Sequence, residues 1–170
     1  METLKIILLA ILASVTYGII HDQITARICI EYFTIFHPRV IASESPTLLG
    51  LVWGVLATWW AGTFLGGLLA VAARVGSRPA LAATKLMLSI AKLLAIMALS
   101  ASVAGCAGYV LTRNRVLSTP GWVRLAPSRQ AVFMADWYAH MASYASALLG
   151  GLVLCVIIYR RRLRISMEPA

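Results

Sequence analysis

Four long apolar runs, separated by short polar segments, constrain the fold of this chain more than any other feature. A helix needs about 20 apolar residues, and tolerates about 17–25, to cross the hydrocarbon core of a bilayer. The three later runs are long enough as they stand, and the first becomes long enough if its helix continues through His21. The sequence therefore predicts an all-α membrane protein with four transmembrane helices in a compact bundle. The runs are Ile6–Ile20, Leu48–Ala73, Lys92–Leu111 and Trp137–Tyr159.

The composition favours lipid as the solvent of these helices. Hydrophobic residues make up 61% of the chain and charged residues only 12%, whereas a soluble domain has about 45–50% and about 25% of these classes. The formal net charge of +9 is compatible with nucleic-acid binding. The basic residues lie between the apolar runs, however, as residues that set membrane orientation do. We therefore expect the lipid bilayer as a partner and no nucleic acid.

We expect one membrane domain over residues 1–170. The first apolar run follows the charged segment METLK, as in a signal peptide, but Ala13–Tyr17 is a poor cleavage site. We therefore favour an uncleaved anchor. The predicted spans are about 4–22, 47–73, 86–111 and 136–159, with an outer interfacial segment in loop 23–46, a second outer loop 112–135, an inner loop 74–85 and an inner tail 160–170.

Lysine and arginine residues predict the orientation of the spans. If the N-terminus is inside, nine basic residues lie on the inner side and six on the outer side. Short cytoplasmic loops carry the excess of basic residues in membrane proteins, so we expect both termini in the cytoplasm. The inner residues are Lys5, Arg74, Arg78, Lys85, Lys92, Arg160, Arg161, Arg162 and Arg164, and the outer ones are Arg27, Arg39, Arg113, Arg115, Arg124 and Arg129.

Small residues recur every four positions along the second and fourth spans. Such stripes allow helix backbones to approach closely in lipid, where van der Waals contact drives helix association. They predict close helix packing and carry no chemistry of their own. The residues that we expect at these contacts are Gly50, Gly54, Gly62 and Gly66 in the second span, and Ala147 and Gly151 in the fourth.

The candidate site consists of histidines and carboxylates on the predicted outer side. Asp136 and His140 are four residues apart and share one helix face, which Tyr144 extends inward. A carboxylate one turn from a histidine can accept the ring N–H and orient the other nitrogen toward a metal. With His21, Asp22 and His37 these residues form a set suited to zinc, copper or iron. An alternative is that the histidines are only interfacial side chains.

The segment between His21 and His37 has two interpretations. On a helix, Gln23, Arg27 and Glu31 align, and Arg27 and Glu31 would form an ion pair that supports the site. Its β-branched and aromatic residues also permit a short pair of strands. We favour a helix lying at the membrane interface.

The segment HDQITARICIEYFTIFHP, followed by WGVLATWW, and the later segment DWYAH resemble small multi-span proteins of the bacterial inner membrane that have no assigned activity. The resemblance covers residues 17–60 and the DWYAH segment. It implies a bacterial cytoplasmic membrane and no particular reaction.

These observations leave three functions open. The first is a binding or redox module with an outward-facing site of histidines and carboxylates. The second is a structural or assembly subunit that packs its small-residue faces against other membrane proteins. The third is a proton-coupled carrier, which the absence of an inverted repeat disfavours. The sequence contains neither HExxH nor G-x-S-x-G, so no enzyme class is indicated.

Overall fold

The computed structural model describes residues 1–167, which form helices and loops without a β-strand. This confirms the predicted all-helical class. Two short helical turns, a π-helical one at Tyr32–Phe36 and a 3₁₀ one at Ala83–Lys85, lie between longer helices. The five longer helices are α1 (Glu2–Ile28), α2 (Pro46–Leu56), α3 (Trp59–Arg74), α4 (Met87–Arg113) and α5 (Pro127–Met167).

Four helical segments are long and apolar enough to cross a membrane, as predicted. They are α1, the α2–α3 pair taken together, α4 and α5. Helix α1 continues past His21 to Ile28, and α5 begins at Pro127, well before the predicted start at residue 136. His21, Asp22, Asp136 and His140 therefore lie inside helices, with at least one full turn of helix between them and the helix ends, whereas His37 lies outside the helices, in extended backbone.

The start of α2 follows the sequence signal only in part. Pro46 occupies the first helical position, where its missing N–H breaks no hydrogen bond. Ser45 precedes it in extended backbone, but its hydroxyl makes no capping hydrogen bond. Its backbone N–H donates instead to the Ser43 hydroxyl at 3.1 Å.

The second predicted span is interrupted at Ala57 and Thr58, between α2 and α3. The Thr58 hydroxyl donates to the Gly54 carbonyl oxygen at 2.5 Å, and the Thr58 N–H bonds to Val55 instead. Threonine bonding back to the preceding turn bends helices. The threonine in the small-residue stripe thus marks a bend in the span.

The glycine stripe of α2 and α3 lies against α1. A Cβ atom on Gly54 would lie 2.6 Å from the Ile19 Cα, and one on Gly62 would lie 2.8 Å from the Ile11 Cα. Gly50 and Gly66 also face α1, where a Cβ would lie 2.9 Å from the Asp22 backbone and 3.2 Å from the Ile7 Cα respectively. Backbones at such distances leave no room for a side chain, so α1, α2 and α3 form one tightly packed unit.

Helix α5 contacts both α3 and α4. Gly151 faces the Leu65 side chain of α3, whereas Ala147 is half-buried. On the other side, Gly108 of α4 would bring a Cβ within 2.6 Å of the Met134 carbonyl oxygen. The small residues of α4 were not among those predicted at helix contacts, although they serve the same purpose.

One of the tail arginines is part of the core. Arg162 has 0% exposure, and its guanidinium donates to backbone carbonyls of the α3 C-terminal end and the following loop. The acceptors are Ala72, Val75, Arg78 and Pro79. Since unpaired buried carbonyls are costly, Arg162 holds the end of α5 against the end of α3.

We predict that Gly54→Ala destabilises the protein, while Gly67→Ala does not. A Cβ on Gly54 would meet the α1 backbone, whereas one on Gly67 has nothing within 4 Å. Alanine is also about 1 kcal/mol more favourable than glycine inside a helix. Thermal unfolding in detergent should give a melting temperature several degrees lower for Gly54→Ala and unchanged or higher for Gly67→Ala. Equal melting temperatures would contradict the packing of α1 on α2.

Candidate metal centre

His140 lies at the centre of a buried polar group between α1 and α5. Only 3% of its surface is exposed. Its Nε2 is 3.3 Å from Asp22 Oδ1 on α1, and its Nδ1 is 2.9 Å from the Asp136 carbonyl oxygen one turn earlier on α5. Both ring nitrogens of His140 therefore face oxygen atoms from two different helices.

The Asp136 carboxylate touches His140 but is poorly satisfied. Its Oδ1 is 2.7 Å from His140 Nδ1. The ring N–H is aligned with the backbone oxygen rather than with this atom, so within residues 1–167 neither carboxylate oxygen has a hydrogen-bond partner. Asp136 is only 1% exposed, so bulk solvent does not reach these two oxygens. Buried polar atoms without partners are rare, which makes this group the candidate site.

His21 completes the group from α1. Its ring meets that of His140 edge-on, with centroids 4.6 Å apart, and stacks on Tyr17 with centroids 5.7 Å apart. His21 Nε2 is buried without a partner in the described part of the chain. One potential ligand atom from each of His21, Asp22 and His140 lies within 4.8 Å of the others.

These distances suit a small metal ion. Two ligands that are each about 2.0–2.1 Å from a tetrahedral zinc ion are about 3.4 Å apart. The distance of 3.3 Å between His140 Nε2 and Asp22 Oδ1 already matches this separation. The His21 side chain needs only a small movement toward the other two to complete a three-ligand site.

Aromatic rings pack around His140. Tyr32 stacks on His140 with ring centroids 4.3 Å apart, and Phe33 and Tyr144 lie at 5.9 and 6.0 Å. On the inner side, the Tyr17 and Ser143 hydroxyls are 2.8 Å apart. Apolar ring faces thereby surround His140, which strengthens its electrostatic interactions.

His37 is near this group but does not join its potential ligands. The Tyr32 ring packs on both histidines, and His37 Nδ1 is 2.8 Å from the Tyr32 carbonyl oxygen. Its ring also packs on Trp53 with centroids 4.7 Å apart. Burial lowers the pKa of His37, which favours its neutral form. Of the predicted candidates, the structure brings together His21, Asp22, Asp136 and His140.

The predicted pair between Arg27 and Glu31 does not form. Helix α1 ends at Ile28, and Cys29 has extended backbone, so the four-residue spacing no longer places the two side chains together. Arg27 bonds to Gln23 and to the Thr47 hydroxyl at the start of α2. The segment after Cys29 forms a single π-helical turn rather than an interfacial helix or strands.

Glu31 instead pairs with Arg129 on α5. The two side chains form a double hydrogen bond, with both N···O distances 2.7 Å. This bond to the guanidinium lowers the pKa of Glu31 to about 2. The pair fastens the segment that carries Tyr32 onto α5, above the polar group. Sequence spacing gave no signal for it, because 98 residues separate the partners.

Three other residues of the site were not predicted. Tyr17 and Ser143 lie one turn from His21 and His140 respectively, so their helical spacing was a usable signal. The sequence held no such signal for Tyr32, because its position over His140 depends on how the chain turns after Ile28.

The chain matches no protein-family model, no curated protein and no solved structure. No relative therefore suggests an activity or a ligand. Function has to follow from the geometry of the residues that the fold brings together.

We predict that Glu31→Gln lowers the melting temperature by a few degrees at neutral pH. The pKa of Glu31 is about 2 in the fold, against a usual value of 4.5. Its stabilisation is thus complete above the usual value and is lost as the pH falls from there toward 2. The difference in melting temperature between wild type and Glu31→Gln should shrink over that range.

Glu44→Gln is the matched control. Glu44 pairs with Arg39 at 3.3 Å, but both side chains are more than half exposed, and exposed pairs contribute little. Equal losses in the two variants at neutral pH would contradict the role given to the Glu31–Arg129 pair.

Proposed function

We propose that this is an integral membrane protein that binds a divalent transition-metal ion between α1 and α5. The proposal rests on one observation, the convergence of His21, Asp22 and His140 on a buried point, with potential ligand atoms within 4.8 Å. These residues come from two helices and are far apart in sequence. Ionisable groups inside a membrane are expensive and usually functional.

The ligand set favours zinc or ferrous iron. Two imidazoles and one carboxylate leave positions for water or a substrate, as in catalytic zinc sites and in non-haem iron centres. Copper would be favoured by a thioether. Met134 packs in the apolar cluster around Phe133, and Met141 is 54% exposed, so neither methionine supports copper.

Asp136 orients His140 in this proposal. The His140 Nδ1–H donates to the Asp136 carbonyl oxygen, and the carboxylate lies against the same nitrogen. One proton is thereby fixed on Nδ1, and Nε2, which faces Asp22 Oδ1 at 3.3 Å, would bind the metal in its deprotonated form. A carboxylate or carbonyl behind a ligating histidine is the usual arrangement in metal sites.

The helices and the basic residues support a membrane placement for this site. The Glu2 carboxylate accepts from the Ala83 N–H, and Arg162 bonds to the loop after α3, so Glu2 and Arg162 lie at the same end of the molecule. Nine of the fifteen basic residues belong to that end. We place it in the cytoplasm of a bacterium, with the metal site toward the outer side of the inner membrane.

Metal analysis of purified protein tests the proposal. The protein is stripped with a chelator, reloaded with zinc or, without oxygen, with ferrous iron, and its metal content is measured by mass spectrometry. Wild type should retain about one ion per chain, and His140→Ala and Asp22→Asn should lose it. Asp136→Asn should weaken affinity about 10- to 100-fold, as loss of an orienting carboxylate does.

Two further variants separate metal binding from folding. His21→Phe removes a ligand but keeps an aromatic ring against His140, so it should lose the metal while retaining the melting temperature of the metal-free wild type. His37 lies outside the ligand group, so the His37→Phe variant should bind metal normally. Full metal binding by His21→Phe, or none by wild type, would contradict the proposal. The polar group would then serve only to join α1 to α5, as in a structural or assembly subunit.

A further inference from the structure

The segment Cys29–His37, called the cover below, lies over the ligands of the proposed metal centre. Tyr32 in the cover is buried, and its ring stacks on that of His140 with centroids 4.3 Å apart. Phe33, also buried, packs edge-on against the same histidine at 5.9 Å. His140 and Asp22 are themselves buried. A metal ion therefore reaches these ligands only if part of the surrounding structure moves.

The backbone on both sides of the cover is irregular. Helix α1 ends at Ile28, Cys29 has extended backbone, and most of the cover is the π-helical turn Tyr32–Phe36. Residues 38–45 then lead to α2 without a helix or a strand. Movements of a segment over a ligand site are usually absorbed by a few such loop or helix-terminal residues. The cover can therefore move without the unfolding of a long helix.

An ion pair at the surface fastens the cover to α5. Glu31 in the cover accepts two hydrogen bonds from Arg129, both with N···O distances of 2.7 Å. The two side chains are 20% and 38% exposed, so water reaches the pair, whereas the ligands beneath the cover are buried. Arginine and carboxylate groups joined by two hydrogen bonds fix orientation as well as distance. The pair therefore holds the cover in one position over His140.

Other approaches to the ligands are unfavourable for an ion. Toward the inner end, an apolar cluster that includes Ile6 and Ile158 fills the space between the helices. At the sides, the exposed residues next to the ligands are apolar, as Ile20, Ile24 and Met141 are. In the proposed membrane placement these side chains face hydrocarbon, where a charge is costly. The outer aqueous side, where the cover lies, is the favourable route for the ion.

We propose that the cover opens and closes over the metal centre, and that the Glu31–Arg129 pair controls how fast the ion enters and leaves. When the pair separates, the Tyr32 ring moves off His140, and water and the ion reach the ligands. When the pair forms again, the ring returns and encloses the ion. This inference rests on the proposed metal function and goes beyond it, because it assigns the control of metal exchange to residues that do not bind the ion.

Rates of zinc exchange test this proposal. Zinc-loaded protein in detergent is mixed with an excess of a fluorescent zinc chelator to follow release, and stripped protein is mixed with zinc to follow loading. Glu31→Gln should speed loading and release severalfold and leave the affinity nearly unchanged, because the cover obstructs both directions alike. Glu44→Gln, which removes an exposed pair with Arg39, should leave both rates unchanged. Faster release without faster loading would overturn the proposal, because Glu31 would then only support the geometry of the ligands.

Three further variants separate the cover from general stability. Tyr32→Ala removes the ring from His140 and should speed zinc loading and release, whereas Tyr32→Phe keeps the ring and should exchange zinc like wild type. Ile158→Val removes a buried methylene group at the inner end of the molecule, far from the cover, and should leave both rates unchanged. Equal rates in the two Tyr32 variants, or an acceleration by Ile158→Val equal to that by Glu31→Gln, would overturn the proposal.

Chemical modification of the metal-free protein tests the cover separately from the metal. Diethyl pyrocarbonate acylates histidine rings that it can reach, and mass spectrometry of peptides follows its reaction with His140. His140 should react slowly in wild type and faster in Glu31→Gln and Tyr32→Ala. Equal reaction in all three proteins would overturn the cover even if zinc binds. If wild type binds no zinc but both variants lose the protection of His140, the metal function fails and the movement of the cover is supported.

Discussion

The contact between His140 and Asp22 is the interaction on which the rest of the structure depends. It joins α5 to α1 through two side chains that are almost fully buried. Burying such groups in an apolar surrounding is unfavourable unless each finds a partner. The surrounding residues supply further contacts for His140. Asp136 holds the other nitrogen of His140, and Tyr32 covers its ring.

The helix packing explains how Asp22 comes to face His140. Gly50 lies so close to α1 that an added Cβ would be 2.9 Å from the Asp22 carbonyl oxygen. Gln23 donates to the Thr47 carbonyl oxygen at 2.9 Å, which fixes the rotation of α1 about its axis. With one face of α1 pressed on the glycine stripe, its other face presents His21 and Asp22 to α5. The packing of α1 on α2 thus determines which residues of α1 face His140.

The four helices and part of the candidate site were predictable from the sequence because they depend on local spacing. The four helices follow from the length of their apolar runs. Asp136 and His140 share a face because they are four residues apart on an uninterrupted helix. The same rule failed for Arg27 and Glu31, since Cys29 ends α1 between them.

Other features depended on tertiary structure and gave no signal. Whether His37 reaches the histidine pair is decided by the turn at Tyr32–Phe36, which places the tyrosine ring against both His37 and His140. Arg162 is one of several tail arginines in the sequence, and only the loop after α3 sets it apart from its neighbours.

X-ray absorption spectroscopy of the zinc-loaded protein tests the central claim most directly, since it reports the atoms around the ion. The account predicts nitrogen and oxygen atoms at about 2.0–2.1 Å from zinc, with the outer scattering of two imidazole rings from His21 and His140. Sulfur at about 2.3 Å, or the scattering of fewer than two imidazoles, would contradict a metal centre built from these residues.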